Sequence, residues 1–149
     1  MAAATGVEPV VDARLRELDL GAWQGPPVEQ AHERFPDEHA AWRAGVDVAR
    51  GGGETYGQAA ERATACVLEH LPALRPGGTM VVVTHGGTAR ATLGSLLELP
   101  PASWGRLAPL GNCCWSVLVE HPLGWRLERH GAGFDVAPTS ATGADRRPL

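Results

Sequence analysis

The chain has 149 residues, 44% hydrophobic and 20% charged, a balance that fits one globular domain with a single core. Its formal net charge is −4, and its thirteen basic residues, all arginine, form no cluster of the kind that steers polyanions, which argues against nucleic acid as a partner. Three cysteines, two of them adjacent, give no disulfide framework or metal knuckle and point to a reduced, cytoplasmic setting, while the apolar runs are too short for a membrane partner.

The stretch EPVVDARLRELDL (8–20) is expected to begin as a strand at Val10–Val11 and is broken by GAWQGPP (21–27). Pro27 suits the first turn of a helix running to about Arg34, and a second short helix is expected after Pro36. GVDVARGGGET (45–55) reads as a glycine-rich loop. From Glu54 the spacing of Ala59, Ala63, Val67 and Leu71 predicts a helix, which RPGG (75–78) ends. TMVVVTHGG then reads as a strand buried on both faces and therefore parallel. A helix is expected from Thr88 to Leu99, stopped by Pro100–Pro101, followed by a hairpin of NCCWSVLVEH (112–121) and WRLERH (125–130). This alternation predicts an α/β domain over residues 1–133 with helices on both faces of a sheet, and a disordered tail over 134–149.

Two positions carry chemistry. His85 stands where the strand ends and the next helix begins, followed by Gly86 and Gly87. A histidine there, with glycines that admit a ligand to the backbone and a helix N-terminus behind them, suits a phosphoryl oxygen; a solvated histidine beside a tight turn is the other reading. Glu17, in RLRELDLGAWQG (14–25), is either an acid for phosphoester cleavage or an exposed carboxylate beside Arg14 and Arg16. Arg90, one turn beyond His85, either reaches a phosphate or ties down the loop, and a structural ion pair is the favoured expectation. His32, His39, His70 and His121 show no spacing with cysteine or acid that suits zinc.

In that order, RLRELDLGAWQG, GGGET (51–55) and VVVTHGGTAR (81–90) resemble three segments of the histidine phosphatase superfamily, the phosphoglycerate-mutase-like fold. They resemble its general-acid glutamate segment, its Gly-Gly-Glu-Ser/Thr loop and its second catalytic histidine. LPPASWGRLAPLGNCCWSVL (99–118) and WRLER are similar to the C-terminal half of actinobacterial members. The resemblance implies a three-layer α/β/α fold on a mostly parallel sheet and a phosphomonoesterase acting on a small phosphorylated metabolite. It makes Glu17 the proton donor and His85 the group that binds the phosphoryl, with the Gly86 amide assisting and Thr55 on the pocket rim. It implies no metal and no cofactor. A phosphoglycerate mutase and an inactive phosphate-binding module are the alternatives; the short stretch between Gly25 and Gly51, poor in basic residues, favours the phosphatase.

The family's nucleophile is a histidine in an Arg-His-Gly motif at the end of its first strand, and only sixteen residues precede Glu17 here. The chain is therefore expected to lack the family's N-terminal strand and helix, and to be inactive by itself. Its own Arg-His-Gly, Arg129–Gly131, lies at the opposite end with no helix N-terminus after it, and is not assigned the role. Without a first strand, Met80–Thr84 would have an open edge through which the chain self-associates.

Overall fold

The computed structural model describes residues 5–25 and 28–133; Pro27 and the tail 134–149 expected to be disordered lie outside them. Helices α1 (Val28–Arg34) and α2 (Pro36–Arg43) follow the predicted boundaries, with Pro36 opening α2. The glycine-rich loop contains one 3-10 turn, Arg50–Gly52. Helix α3 (Tyr56–His70) starts at Thr55, whose hydroxyl accepts from Gln58 N while the Gln58 side chain accepts from Thr55 N. This reciprocal capping satisfies two amides at the helix start, and the Asp47 carboxylate takes two more, from Tyr56 and Gly57. Helix α4 (Gly86–Leu96) is capped by His85, two residues earlier than the apolar spacing alone marks its start.

The core forms where α3 packs against α4. Ala59, Ala63 and Ala91 are fully buried, and these small side chains let the helices approach closely. Leu18 and Trp104 fill the space around them. Trp104 covers Gly94, where a methyl group would lie 2.5 Å from the indole, and its Nε1 donates to Leu99 O. A second aromatic group gathers Trp23, Phe35, His39 and Trp42 between the turn Gly21–Trp23 and α2. No helix of the described residues is long and apolar enough to cross a membrane.

Strands β1 (Trp115–His121) and β2 (Gly124–Ala132) form the predicted hairpin, with register shifts on either side of Val117. Two strand expectations need correction. Val10 and Val11 are 75% and 93% exposed and pair with no strand among the described residues; the chain turns instead into a 3-10 helix, Ala13–Leu15, capped by the Asp12 carboxylate. Met80–Thr84 is not a buried parallel strand either. Val81 and Val83 are 68% and 64% exposed, because the described residues offer no strand beside them. Helices and strands are thus mixed as expected, but the sheet among the described residues is two-stranded and antiparallel.

Candidate active site

The stretch Arg14–Leu20 crosses the N-terminal end of α4 and enters the core at Leu18. Among the described residues it has no partner strand, and side chains take up its carbonyls. Thr84 Oγ1 donates to Leu15 O, and Thr88 Oγ1 to Arg16 O, each at 2.7 Å. Arg62 reaches the same stretch from α3.

This arrangement aims Glu17 at the start of α4. Its Oε1 accepts from Leu18 N at 2.8 Å and Thr88 N at 3.0 Å, and its Oε2 from Gly87 N at 3.2 Å. The carboxylate therefore sits on amides that helical bonding leaves unpaired, at the positive end of the helix dipole. Burial works to raise the affinity of Glu17 for a proton. The donations from Leu18, Thr88 and Gly87, with the nearby His85, outweigh it and hold the carboxyl below the ordinary glutamate range.

His85 caps α4 with an extended backbone and no side-chain bond to the helix, which leaves its ring exposed at the same helix end. The two predicted residues, far apart in sequence, are thus brought to one place. Gly86 opens the helix, and a methyl group there would meet only Leu110 O at 3.7 Å. At Gly87 a methyl group would lie 2.9 Å from Glu17 Oε1, so the approach of the acid requires this glycine. Thr55 is placed differently. Its hydroxyl serves the α3 cap. An open cavity of about 580 Å³ has Glu17, Asp19, Trp23 and Gln24 in its wall; His85 is not part of that wall.

Three features of the site were not read from the sequence. Thr88 is fully buried and bonds both to the Glu17 carboxylate and to the backbone before it. Gly51 and Gly53 press backbone to backbone on residues 19–23: a methyl group at Gly53 would lie 2.2 Å from Asp19 O. Glu54, next in the chain, joins Arg62, and this bond lowers the Glu54 carboxyl to about 2 against the opposing effect of burial. The eight-residue spacing of Glu54 and Arg62 is the only sequence signal for that pair.

Other expectations fare differently. Arg90 Nε is buried with no hydrogen-bond partner among the described residues, so the expected ion pair is not seen there. His70 lies one turn after Cys66, and both come within 4.8 Å of Asp12, a grouping missed by the spacing argument. Asp12, however, is held by Arg14 at 2.7 Å, and burial pushes the Cys66 thiol up, so the thiol keeps its proton. His130 of the C-terminal Arg-His-Gly lies in β2 with both ring nitrogens engaged, Nδ1 with Ser116 Oγ and Nε2 with Ala108 O.

The profile of the histidine phosphatase superfamily (branch 1) matches residues 1–133. The glucosyl-3-phosphoglycerate phosphatase of Mycobacterium tuberculosis is 34% identical over 148 residues, 89% of this chain and 66% of that protein. A probable phosphoglycerate mutase of Yersinia enterocolitica is 32% identical over 140 residues, 88% of this chain and 63% of that one. The mycobacterial glucosyl-3-phosphoglycerate phosphatase solved with inorganic phosphate superposes with a TM-score of 0.78 at 36% identity, covering 89% of this chain and 69% of that structure. The chain thus spans about two thirds of the length of the curated relatives it matches. Motif order, helix-end geometry and these likenesses agree: the chain belongs to the histidine phosphatase superfamily.

Proposed function

We propose that this chain carries the acid and phosphoryl-binding half of a phosphomonoesterase that works through a phosphohistidine. The observation that carries the reading is Glu17 seated on the α4 amides beside His85. In the reaction a histidine nitrogen attacks phosphorus and the P–O bond to the leaving alcohol breaks. Glu17 gives that oxygen its proton, and water then cleaves the P–N bond. His85 and the Gly86 amide donate to the phosphoryl oxygens as charge builds on them.

The amide donations hold the Glu17 carboxyl below the ordinary glutamate range, yet a donor needs a proton. A phosphoryl dianion at the start of α4 competes for the amides that hold the carboxylate and adds negative charge beside it. Both effects raise the proton affinity of Glu17. Substrate binding thereby loads the acid.

The reading takes its attacking histidine from a segment outside these 149 residues. His130 of the C-terminal Arg-His-Gly, with both ring nitrogens engaged, is not given that role. The same segment would supply a strand beside Met80–Thr84 and complete a three-layer α/β/α domain on a mostly parallel sheet. Exposed Val81 and Val83 favour that placement, and without the strand they favour self-association. The substrate in this reading is a small phosphorylated metabolite, of the sugar-phosphate kind named for the mycobacterial relatives. With reduced thiols, among them Cys66, Cys113 and Cys114, the protein would work in the cytoplasm.

Release of phosphate from p-nitrophenyl phosphate tests the reading. The 149 residues alone should not turn over, and a chain extended by upstream coding sequence with a strand ending in Arg-His-Gly should. In that longer chain His85→Ala should lose at least about a hundredfold in rate. Turnover by the 149 residues that is lost in His130→Ala would overturn the assignment.

A further inference from the structure

Arg62 commits every donor it has. Nε donates to Glu54 Oε1 at 2.9 Å and Nη2 to Glu54 Oε2 at 2.8 Å, a two-pronged pairing that fixes the plane of the guanidinium. Nη1 donates to Arg14 O at 2.6 Å and Arg16 O at 3.0 Å, and Nη2 also to Glu17 O at 3.2 Å. These are the five N–H groups of the side chain, each with an acceptor. Three of the acceptors are backbone carbonyls of the stretch that bears Glu17. The side chain is 13% exposed, so water competes little for these bonds.

The carboxylate partner is fastened to the same stretch. Glu54 Oε2 accepts from Asp19 N at 3.1 Å, and Glu54 N donates to Asp19 O at 2.7 Å. Residues 14–19 are thus gripped by Arg62 from within α3 and by Glu54 just before it. On their other side, the α4 end holds Leu15 O and Arg16 O through Thr84 and Thr88. An irregular segment between two such grips has little freedom to rotate, and the direction of the Glu17 side chain follows from it.

We infer that Arg62, held in plane by Glu54, is the positioning residue that aims the Glu17 carboxyl at the start of α4. The inference rests on the phosphatase reading for its catalytic meaning, since that reading makes Glu17 the proton donor. A planar fork of five donors can span three carbonyls and a carboxylate together; the single ammonium of lysine cannot. Arg62→Lys keeps the charge and loses the span.

The test follows the Glu17 carboxyl by carbon-13 NMR in the full 149-residue chain, with the signal assigned from Glu17→Gln. In the wild type Glu17 should titrate below the ordinary glutamate range. In Arg62→Lys the midpoint should rise by about one pH unit as the amide bonds loosen. The Gly87 and Thr88 amide signals should lose their dependence on that titration. An Arg62→Lys protein that melts earlier, yet keeps the wild-type Glu17 midpoint, would show a structural arginine and overturn the inference. If Arg62→Lys does not fold, Glu54→Gln provides the same readout, with a rise expected and an unchanged midpoint fatal. Inorganic phosphate added to the wild type separates the two claims. Shifts at His85 and Gly86 support the phosphatase reading, and their absence would sink that reading whatever Arg62→Lys does to Glu17.

Discussion

The Thr88 amide donates to Glu17 Oε1 at 3.0 Å across 71 positions of sequence. The same threonine hydroxyl holds Arg16 O, one residue before the acid. The fully buried Thr88 therefore joins the two motifs, together with the Glu17 carboxylate itself. The start of α4 thus holds an anion of the protein itself.

The stability of the chain should fall in acid through carboxyls that the fold holds below their ordinary range, Glu54 and Glu17 among them. Glu54 sits at about 2 against an ordinary value of 4.5, and Glu17 is shifted the same way. The folded state then binds fewer protons than the unfolded state between those values, so stability rises with pH there. It should be complete above about pH 4.5 and lost as pH falls toward about 2. Urea midpoints between pH 2.5 and 6 check this, and Glu54→Gln should show a flatter curve than the wild type.

The two glycines after His85 should respond in opposite ways. Gly86→Ala meets ordinary contact distances and gains helix propensity, so stability should be unchanged or higher by up to about 1 kcal/mol. Gly87→Ala drives a methyl group onto Glu17 Oε1 and should cost about 1–3 kcal/mol. Thermal unfolding of both variants checks the contrast; equal losses would place the requirement in the turn and not in the approach of Glu17.

Gly53→Ala should be among the most damaging substitutions on the surface loops. The new methyl group would overlap Asp19 O and push apart the contact that holds residues 19–21 against the loop. A loss of about 2 kcal/mol or more in urea unfolding is expected. Gly52→Ala, with nothing within 4 Å but a left-handed φ of +76°, should lose only about 1 kcal/mol.

Self-association of the 149 residues should run through the open edge at 80–84. Val81→Glu combined with Val83→Glu removes two exposed apolar groups and adds charge along that edge. Sedimentation velocity should show the wild type as oligomeric and the double variant shifted to monomer, with the melting temperature of the folded unit little changed. A monomeric wild type would refute the assignment of this edge.

Much of the local structure was legible because its causes are local. Pro36 fixes the start of α2, the spacing of Ala59, Ala63 and Val67 marks α3, and the turn at HPLG closes the hairpin. The order of the three motifs placed Glu17 and His85 as partners before any distance was known. The misreadings share one cause. Val10–Val11 and Met80–Thr84 have β-branched side chains suited to strands, but a strand exists only when another backbone pairs with it. Sequence pattern carries no count of available partners.

By itself the sequence determined the helices, the hairpin and the family motifs, and it singled out Glu17 and His85. Tertiary structure decided what holds them. Arg62 and Glu54 join α3 to the Glu17 stretch, Thr84 and Thr88 join α4 to it, and Gly53 admits the loop between them. Those bonds link carbonyls and side chains scattered over more than seventy positions. Their geometry exists only once α3 and α4 have packed, because burial alone brings the donors within reach of a backbone that no strand has claimed.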